Sequence, residues 1–334
     1  MQPSPQLHDA TVHDLRHHKN LLAFSGGGDS TALFFTLLSY NIPFDIAHVN
    51  YKTRPQSDEE EAYANRLATQ YSKRLFALTC TLDSSNFEHE ARCARYSFFE
   101  SIINEHHYDT LLTAHHLNDK LEWFLMQLTK GAGLVEMLGM SEYEQRLSYT
   151  LVRPFLHISK ETLKHYLQEK EICYFEDESN ASKTYLRNRF RHEIANPLLE
   201  MYTQGIRHSF EYLEEDKKRL FSPQERHIKE CFILQRSNDD LLNIRHIDRI
   251  LKVLGILPSK AQREEILRTK ECVVGGKIAV CFSTKQIYIA PYVHETMTKL
   301  FKEACRKENI PHKIRPYLFS AGIQPSALRL DRIL

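Results

Sequence analysis

Long apolar runs are missing from this sequence of 334 residues. No stretch approaches the roughly 18–20 uninterrupted apolar residues that a membrane-spanning helix needs. Residues 1–20 also lack the apolar core of a secretory signal. We therefore expect a protein with no segment in a membrane. Internal repeats and low-complexity segments are absent as well, and the composition is that of an ordinary globular protein.

Cysteines at metal-binding spacing are also missing. The chain has seven cysteines, and no two of them form a C-x-x-C pair. This scatter argues against a disulfide framework, a zinc ribbon or an iron–sulfur site, and it favours the reducing cytoplasm. The positions are Cys80, Cys93, Cys173, Cys231, Cys272, Cys281 and Cys305.

An excess of charge of one sign is absent overall, because the formal net charge is +1. The charge is unevenly distributed, however. From Lys299 to Leu334, eight Lys and Arg residues stand against three Asp and Glu residues, so this segment carries +5 and the rest of the chain −4. Such a basic segment either contacts an anionic partner or is simply a solvated tail.

Short apolar runs alternate with helical periods over the first 200 residues. Runs that predict strands begin at Leu21, Phe44, Leu75, Thr110 and Leu151, and segments with apolar residues at helical spacing lie between them. This alternation is typical of βαβ units, and hence of a parallel, doubly wound α/β sheet with helices on both faces. Ligands of such sheets bind at the carboxyl ends of the strands.

The pattern changes after Pro197. A helix and a mixed polar stretch come first, and then two helices and a β-hairpin are predicted between Ile244 and Ile289. We therefore expect a catalytic α/β domain over residues 1–200, a helical linker over 201–238, and a smaller α+β domain over 239–334 that carries the basic segment and binds the anionic partner.

Glycine is scarce, with 11 residues in the chain, but three are consecutive between the first strand and the first helix. They belong to the loop Ser25-Gly26-Gly27-Gly28-Asp29-Ser30. Glycines let backbone N–H groups approach a polyphosphate, and the following helix directs the positive end of its dipole at the same phosphates. The two serines can add hydroxyl donors, and Asp29 can hold the Mg²⁺ that accompanies ATP. The loop lacks the Gly-Lys-Ser/Thr ending of a Walker A motif, so γ-phosphoryl transfer is not indicated.

This loop resembles the pyrophosphatase loop of the N-type ATP pyrophosphatases, which cleave ATP between the α and β phosphates. Further motifs, taken in order, resemble the tRNA(Ile)-lysidine synthetase family over residues 20–200. They are Ala47-His48-Val49-Asn50, Ala91-Arg92-x-x-Arg95-Tyr96, Thr113-Ala114-His115-His116-x-x-Asp119-x-x-Glu122, Lys130-Gly131-x-Gly133, Arg153-Pro154, Asp177-x-Ser179-Asn180 and Arg187-Asn188-x-x-Arg191. Tyr51 departs from the pattern, because many relatives have a second histidine there.

The resemblance implies a two-step reaction with ATP, Mg²⁺, free L-lysine and an isoleucine tRNA that has a CAU anticodon. The C2 oxygen of the wobble cytidine attacks the α-phosphate of ATP and expels pyrophosphate. The ε-amine of lysine then attacks C2 and expels AMP, which leaves lysidine. In the first step Asp29, with its Mg²⁺, and Arg92 or Arg95 would neutralise the phosphates, while His48 would lie beside the nucleoside.

The second step needs a neutral lysine amine. Deprotonation near pH 7 costs roughly 4–5 kcal/mol, because the ε-amine has a pKa near 10.4. His115, Asp119 and Glu122 are spaced at i, i+4 and i+7, which predicts one helical face and a common pocket for a base. A zinc site and a simple helix-cap cluster are the alternatives for these three residues.

A last group of residues is expected to bind the tRNA or the activated cytidine. It comprises Asp177, Ser179, Asn180, Arg187, Asn188 and Arg191. The alternative is a capped turn followed by the solvated start of a basic helix. Two rival functions also stay open for the whole protein: a tRNA thiolase of the same superfamily, and a non-catalytic regulator that binds an adenine nucleotide. The oligomeric state is not predicted.

Overall fold

The computed structural model describes residues 5–53, 56–81, 87–176, 186–220 and 225–328. The chain forms two compact units, Met1–Glu214 and Glu215–Leu334. Among the helices within the described ranges, none is both long enough and apolar enough to span a bilayer.

The first unit is built on a six-stranded sheet. Its strands are β1 (Asn20–Ala23), β2 (Phe44–Asn50), β3 (Leu75–Thr79), β4 (Thr110–Leu112), β5 (Tyr143–Gln145) and β6 (Thr150–Val152). The spatial order is β3-β2-β1-β4-β6-β5, and all neighbours are parallel except the edge pair β5 and β6. The predicted parallel sheet is therefore confirmed, and the short antiparallel edge strand β5 is an addition.

Helices cover both faces of this sheet. The helices of this part of the chain are α1 (Asp9–Arg16), α2 (Gly28–Ser39), α3 (Gln56–Gln70), α4 (Phe87–His106), α5 (Leu117–Thr129), α6 (Leu134–Met137), α7 (Lys160–Glu169), α8 (Leu186–Arg189) and α9 (Asn196–Leu220), with a π-helical turn at Phe190–Ala195 between the last two. Helices α5 and α9 share a hydrophobic cluster of their own. Strand side chains alternate in direction, so Leu22 packs in one core with Phe34, while Leu21 packs in the opposite core with Phe99. Burial on both faces explains why β1 appears in the sequence as an uninterrupted apolar run.

The sheet has a topological switch point at β1. Leu22 pairs with Ile46 of β2 on one side and with Leu112 of β4 on the other. The chain runs outward from β1 through β2 to β3 and then returns to β4 on the other side of β1. The loops after β1 and β4 therefore diverge and leave a crevice at the carboxyl ends of these strands, where ligands of such folds bind.

The second unit contains a five-stranded antiparallel sheet. Its strands are β7 (Glu225–Ile228), β8 (Cys231–Gln235), β9 (Glu271–Val274), β10 (Ile278–Phe282) and β11 (Gln286–Pro291), in the spatial order β7-β8-β11-β10-β9. Its helices are α10 (Asp240–Val253), α11 (Lys260–Thr269), α12 (Lys299–Lys307) and α13 (Arg315–Ser320), with a 3₁₀ turn at Pro325–Leu328. The sheet has a core on each face.

Residues 201–238, predicted to be a helical linker, are helical only in their first half. Helix α9 occupies the first half, but β7 and β8 lie in the second half and belong to the sheet of the second unit. The run Cys231–Leu234 is buried at every position, because β8 is an inner strand covered on both faces. A continuous apolar run of this kind is typical of a buried strand and not of a solvated linker.

Candidate active site

The glycine loop folds around the hydroxyl of Ser30. The Ser25 N–H donates to Ser30 Oγ over 3.2 Å, and Ser30 Oγ donates to the Gly27 carbonyl over 3.1 Å. Gly26 has a φ of +83°, in the left-handed region that other residues rarely adopt. The loop therefore turns directly from β1 into the first turn of α2.

The far side of the loop is packed against the segment that follows α7. The Phe175 N–H donates to the Gly26 carbonyl over 3.1 Å, and Gly27 forms an isolated bridge with Phe175. At Gly28 a Cβ atom would lie 3.2 Å from the ring of Tyr174. A side chain at Gly28 would therefore have to displace the Tyr174 ring by a few tenths of an ångström, so glycine favours close packing behind the loop.

A cavity of about 290 Å³ lies in front of the loop. It is at the switch point, because its walls follow β1 and β4 and are completed by α4 and by Arg187 of α8. The lining residues are Ala23, Phe24, Ser25, Asp29, Ser30, Val49, Tyr51, Arg95, Tyr96, Phe99, Thr113, Ala114, His115, Asp119 and Arg187. The cavity therefore brings together the predicted phosphate loop and two of the three residues predicted to form the base pocket.

His116 connects the two sides of this cavity. Its Nε2 lies 3.4 Å from Asp29 Oδ2 and 3.4 Å from Asp119 Oδ2. Burial alone would lower the pKa of His116, but the carboxylates of Asp119 and Asp29 outweigh burial and raise it. Burial likewise pushes the pKa of Asp29 upward, but the hydrogen bond and charge of His116 hold it below its usual range. The geometry therefore favours a positively charged ring between two carboxylates.

Asp119 and Glu122 bind two arginines. Arg191 donates through Nε to Glu122 Oε2 over 2.7 Å and through Nη2 to Asp119 Oδ1 over 2.8 Å, and Arg187 donates to Glu122 Oε1. The Glu122 side chain is only 2% exposed. Burial raises the pKa of Asp119, but the charges of His116, His115 and Arg191 outweigh burial and hold it well below its usual range. Asp119 is therefore charged, and both carboxylate side chains have guanidinium partners.

The predicted single face of His115, Asp119 and Glu122 differs from the structure. Helix α5 begins at Leu117, so His115 lies before the helix, where its Nδ1 is 2.9 Å from Thr113 Oγ1. His115 and Asp119 line the cavity, whereas Glu122 is not among the described residues that line it. His115 falls outside the predicted helical face because the helix begins two residues after it, and Glu122 is covered by Arg187 and Arg191.

Burial lowers the pKa of His115 to about 4. Between pH 6.5 and 4 the unfolded chain therefore binds more protons at this residue than the folded chain does, and the free energy of unfolding falls as the pH decreases through this range. We expect the variant His115→Gln to lose this contribution, so that its free energy of unfolding falls less steeply from pH 6.5 to 5. Urea unfolding at a series of pH values measures both slopes. The exposed His17→Gln serves as the control, and identical slopes for wild type and His115→Gln would refute the assignment.

The structure separates the two candidate arginines. Arg95 is half-buried and lines the cavity, whereas Arg92 is exposed and lies over the ring of Tyr96, 4.8 Å from its centroid. His48 is buried behind the cavity wall, and its Nδ1 lies 3.0 Å from the Phe24 carbonyl oxygen. Burial lowers the pKa of His48, which favours the neutral ring that donates to this carbonyl. His48 thus contacts the strand that leads into the phosphate loop.

The predicted tRNA-binding group is placed only in part. Asp177, Ser179 and Asn180 lie outside the described residues. Arg187 and Asn188 belong to α8, and Arg191 belongs to the π-helical turn that follows it. Of these three, Arg187 lines the cavity.

Sequence reasoning missed His116, Thr113, Tyr96 and Tyr51 as neighbours of the site. The Tyr51 hydroxyl donates to the Ala91 carbonyl over 2.8 Å, so the residue that departs from the family pattern anchors the cavity wall to α4. A signal for His116 was present in the sequence, since His116 and Asp119 have the spacing of a capping box.

Comparison with known proteins identifies the class first. Residues 4–198 match the model of the PP-loop domain. A solved U34-tRNA thiolase from Methanococcus maripaludis superposes with a TM-score of 0.50 over 62% of this chain and 77% of that one, at 18% identity, which shows a shared fold alone. The protein is therefore a member of the PP-loop class of ATP-binding proteins.

Relatives similar over nearly their whole length identify the family. The chain is 48% identical to a tRNA(Ile)-lysidine synthase from Wolinella succinogenes, over 92% of this chain and 95% of that protein. It is 46% identical to a tRNA(Ile)-lysidine synthase from Campylobacter jejuni, over 97% of this chain and 99% of that protein. The chain belongs to the tRNA(Ile)-lysidine synthase family.

Proposed function

We propose that this protein is an ATP-dependent ligase that converts the wobble cytidine of a CAU-anticodon isoleucine tRNA to lysidine. The observation that carries the proposal is the near-full-length similarity to tRNA(Ile)-lysidine synthases. A cavity whose walls combine a PP-loop with a His–Asp–Arg cluster supports it. The reaction releases one pyrophosphate and one AMP for each lysine joined.

In the first step the C2 oxygen of cytidine attacks the α-phosphate, and pyrophosphate leaves. The front of the glycine loop and the first turn of α2 offer N–H groups to the phosphates, because the first N–H groups of a helix have no partner within it. The guanidinium of Arg95 stabilises the negative charge that develops on the phosphates. The carboxylate of Asp29, 40% exposed in the cavity wall, would hold the Mg²⁺ that accompanies ATP, and the ion would supply further charge neutralisation.

In the second step the ε-amine of lysine attacks C2 and AMP leaves. Asp119 and His115 line the cavity, and both are unprotonated near pH 7, because the pKa of each is lowered. We infer that Asp119, held charged, binds and orients the ε-ammonium, and that His115 accepts a proton from it before the neutral amine attacks C2. Glu122 acts as a positioning residue, since it holds Arg187 at the cavity wall. We place the reaction in the cytoplasm, where tRNA, ATP and free lysine are all available.

Incubation with ATP, labelled lysine and an unmodified CAU-anticodon isoleucine tRNA tests the proposal. We expect one lysine to enter each tRNA, with one AMP released, and no incorporation into a tRNA whose wobble cytidine is replaced by uridine. ATP binding without incorporation would instead indicate the nucleotide-binding regulator. ATP-dependent sulfur incorporation would indicate the thiolase, although no cysteine lines the cavity within the described part of the chain.

Arg95 and Arg92 provide a matched pair of variants. Arg95→Ala is expected to slow ATP–pyrophosphate exchange roughly 10- to 100-fold, because a charge that faces the phosphates is lost. Arg92→Ala removes the same charge one helical turn earlier on α4, where the side chain is exposed, and is expected to change the rate by less than about threefold. Exchange assays at saturating tRNA measure both effects. Equal rates for the two variants would remove Arg95 from the ATP site.

We propose that the second unit binds the tRNA body through α12. Lys302, Arg306 and Lys307 are exposed on this helix, while Cys305 on its other face is buried. Replacing the three basic residues with alanine is expected to raise the KM for tRNA and to flatten its salt dependence, because each lost phosphate contact reduces the log–log slope by roughly 0.7–0.9. The KM values for ATP and lysine should not change, since their proposed site is in the first unit.

A charge-matched control tests the location of this effect. Arg268, Lys277 and Lys285 are also exposed basic residues of the second unit, and their triple alanine variant removes the same net charge. If tRNA binds through α12, the control variant keeps the wild-type slope. A wild-type slope in the α12 variant would show that these residues form only a solvated surface.

A further inference from the structure

Two histidines and a glutamate converge at a place well separated in sequence from the residues of the cavity. His8 precedes α1, Glu142 precedes β5, and His157 lies between β6 and α7. Each offers one ligand atom, and these atoms all lie within 4.8 Å of one another. His8 Nδ1 is 3.0 Å from Glu142 Oε2, and the two imidazole rings are stacked with centroids 3.8 Å apart.

The tautomer of His157 is fixed by its surroundings. Its Nε2 lies 2.9 Å from the Gln6 carbonyl oxygen, which can only accept, so Nε2 carries the hydrogen and Nδ1 carries the lone pair. Nδ1 is buried and has no hydrogen-bond partner among the described residues. A ring that donates to a backbone carbonyl through one nitrogen and presents the other as a lone pair is the usual arrangement of a metal-binding histidine.

The orientation of the Glu142 carboxylate is also fixed by a hydrogen bond to one of its two oxygens. Thr11 Oγ1 donates to Glu142 Oε1 over 2.6 Å, which leaves Oε2 directed at His8. Glu211 and Glu214 of α9 add negative charge near His8, while Arg207 opposes them near His157. The cluster thus combines oriented nitrogen and oxygen donors in surroundings that include two further carboxylates.

We propose that His8, Glu142 and His157 bind a divalent transition metal ion of the zinc class. Two imidazoles and one carboxylate are a ligand set that Zn²⁺ favours, with water as a fourth ligand. Neighbouring ligand atoms of a tetrahedral zinc site are about 3.3 Å apart, so the ligand atoms must close by up to about 1.5 Å and one of the stacked rings must turn. The His8 side chain is 51% exposed and can turn to do so while leaving one position open to water.

The ion would tie the N-terminal segment to the loop that supports the start of α5. Next to His157, the Ile158 carbonyl accepts from the N–H of Leu117, the first residue of α5, over 2.9 Å. Two residues further, the Lys160 N–H donates to Asn118 Oδ1 over 3.0 Å. The ion would therefore stabilise the turn that carries His116 and Asp119 without entering the cavity.

Zinc titration of metal-free protein tests the site. With a chromophoric chelator as competitor, we expect one equivalent of Zn²⁺ to bind, and Zn²⁺ at 100 times its dissociation constant to raise Tm by roughly 5–10 °C. His157→Gln should weaken binding at least about tenfold and, at the same Zn²⁺ concentration, cut the rise in Tm by about half or more, because a ligand is lost. His8→Ala should also weaken Zn²⁺ binding. Because His8 is half exposed, this variant should fold normally, so a loss of binding in it cannot be attributed to misfolding. Co²⁺ should give the visible absorption of a tetrahedral site in the wild type but not in His157→Gln or His8→Ala.

His13 on α1 and His17 at the C-cap of this helix form the matched control pair, since their rings lie 4.7 Å apart at the surface. His13→Ala should keep the wild-type affinity for Zn²⁺. Equal binding by wild type, His157→Gln and His8→Ala, or loss of binding in His13→Ala, would overturn the proposal and indicate adventitious binding at the surface. Absence of stoichiometric Zn²⁺ binding by the wild type would also overturn it.

Discussion

Asp29→Asn is expected to reduce ATP–pyrophosphate exchange by about 100-fold or more, with little change in the fold. The substitution keeps the shape of the side chain and removes its charge. Asp29 lies in the first turn of α2, lines the cavity, and is the carboxylate proposed to hold the Mg²⁺ of ATP. Because the same carboxylate faces His116, the variant also removes one of the two charges that keep this ring protonated.

Asp14 provides a closely matched control for Asp29. Its side chain is also 40% exposed, and it also lies 3.4 Å from a histidine nitrogen, that of His18 on the surface. Asp14→Asn should leave exchange unchanged, and thermal unfolding should show that both variants are folded. If Asp29→Asn exchanges at the wild-type rate in saturating Mg²⁺, Asp29 does not belong to the ATP site.

Much of the fold could be predicted because its signals are local. Strand β1 is a short apolar run that enters a glycine turn, and α11, one of the two helices predicted between Ile244 and Ile289, begins at a capping box formed by Ser259 and Gln262. Strand β5 was missed because three exposed or half-exposed residues at a sheet edge carry no apolar pattern. Strand β8 was missed although its run Cys231–Leu234 is continuously apolar, because so short a run without alternation was included in the polar stretch around it.

The residues of the candidate site also differ in how far they could be predicted, because some are close in sequence and others are distant. The phosphate loop is one continuous stretch, so its residues could be named from the sequence. The partners of Glu122 could not, because Arg187 and Arg191 lie 65 and 69 residues further along the chain. Periodicity placed Glu122 on a common face with Asp119, but only the tertiary structure shows that guanidinium groups cover it.

Glu122→Gln is expected to destabilise the protein by about 3 kcal/mol, because it removes the charge from a buried group that two arginines bind. This loss of stability is at the low end of the range for breaking a buried ion pair. The Gln amide can still accept one hydrogen bond, and Arg187 is 42% exposed. For a unit of this size the loss corresponds to roughly 6–12 °C in Tm. Lysine incorporation should fall by about 100-fold, because Arg187 is released from the cavity wall and the charge balance at Asp119 changes. Pyrophosphate exchange should fall much less, since the glycine loop and Arg95 lie on other elements.

Glu193→Gln is the matched control, because Glu193 pairs with Arg189 in the neighbouring turn but is 47% exposed. Exposed pairs of this kind contribute only about 0.5 kcal/mol, so its Tm should hardly change. A double-mutant cycle of Glu122→Gln with Arg191→Met isolates the coupling between these two side chains, which we expect to be about 1–3 kcal/mol. If Glu122→Gln has the wild-type Tm, the buried charge cluster does not stabilise the fold. If exchange and lysine incorporation fall equally, Glu122 supports the ATP site and not the lysine step, because a residue that positions only Arg187 should leave adenylation nearly intact.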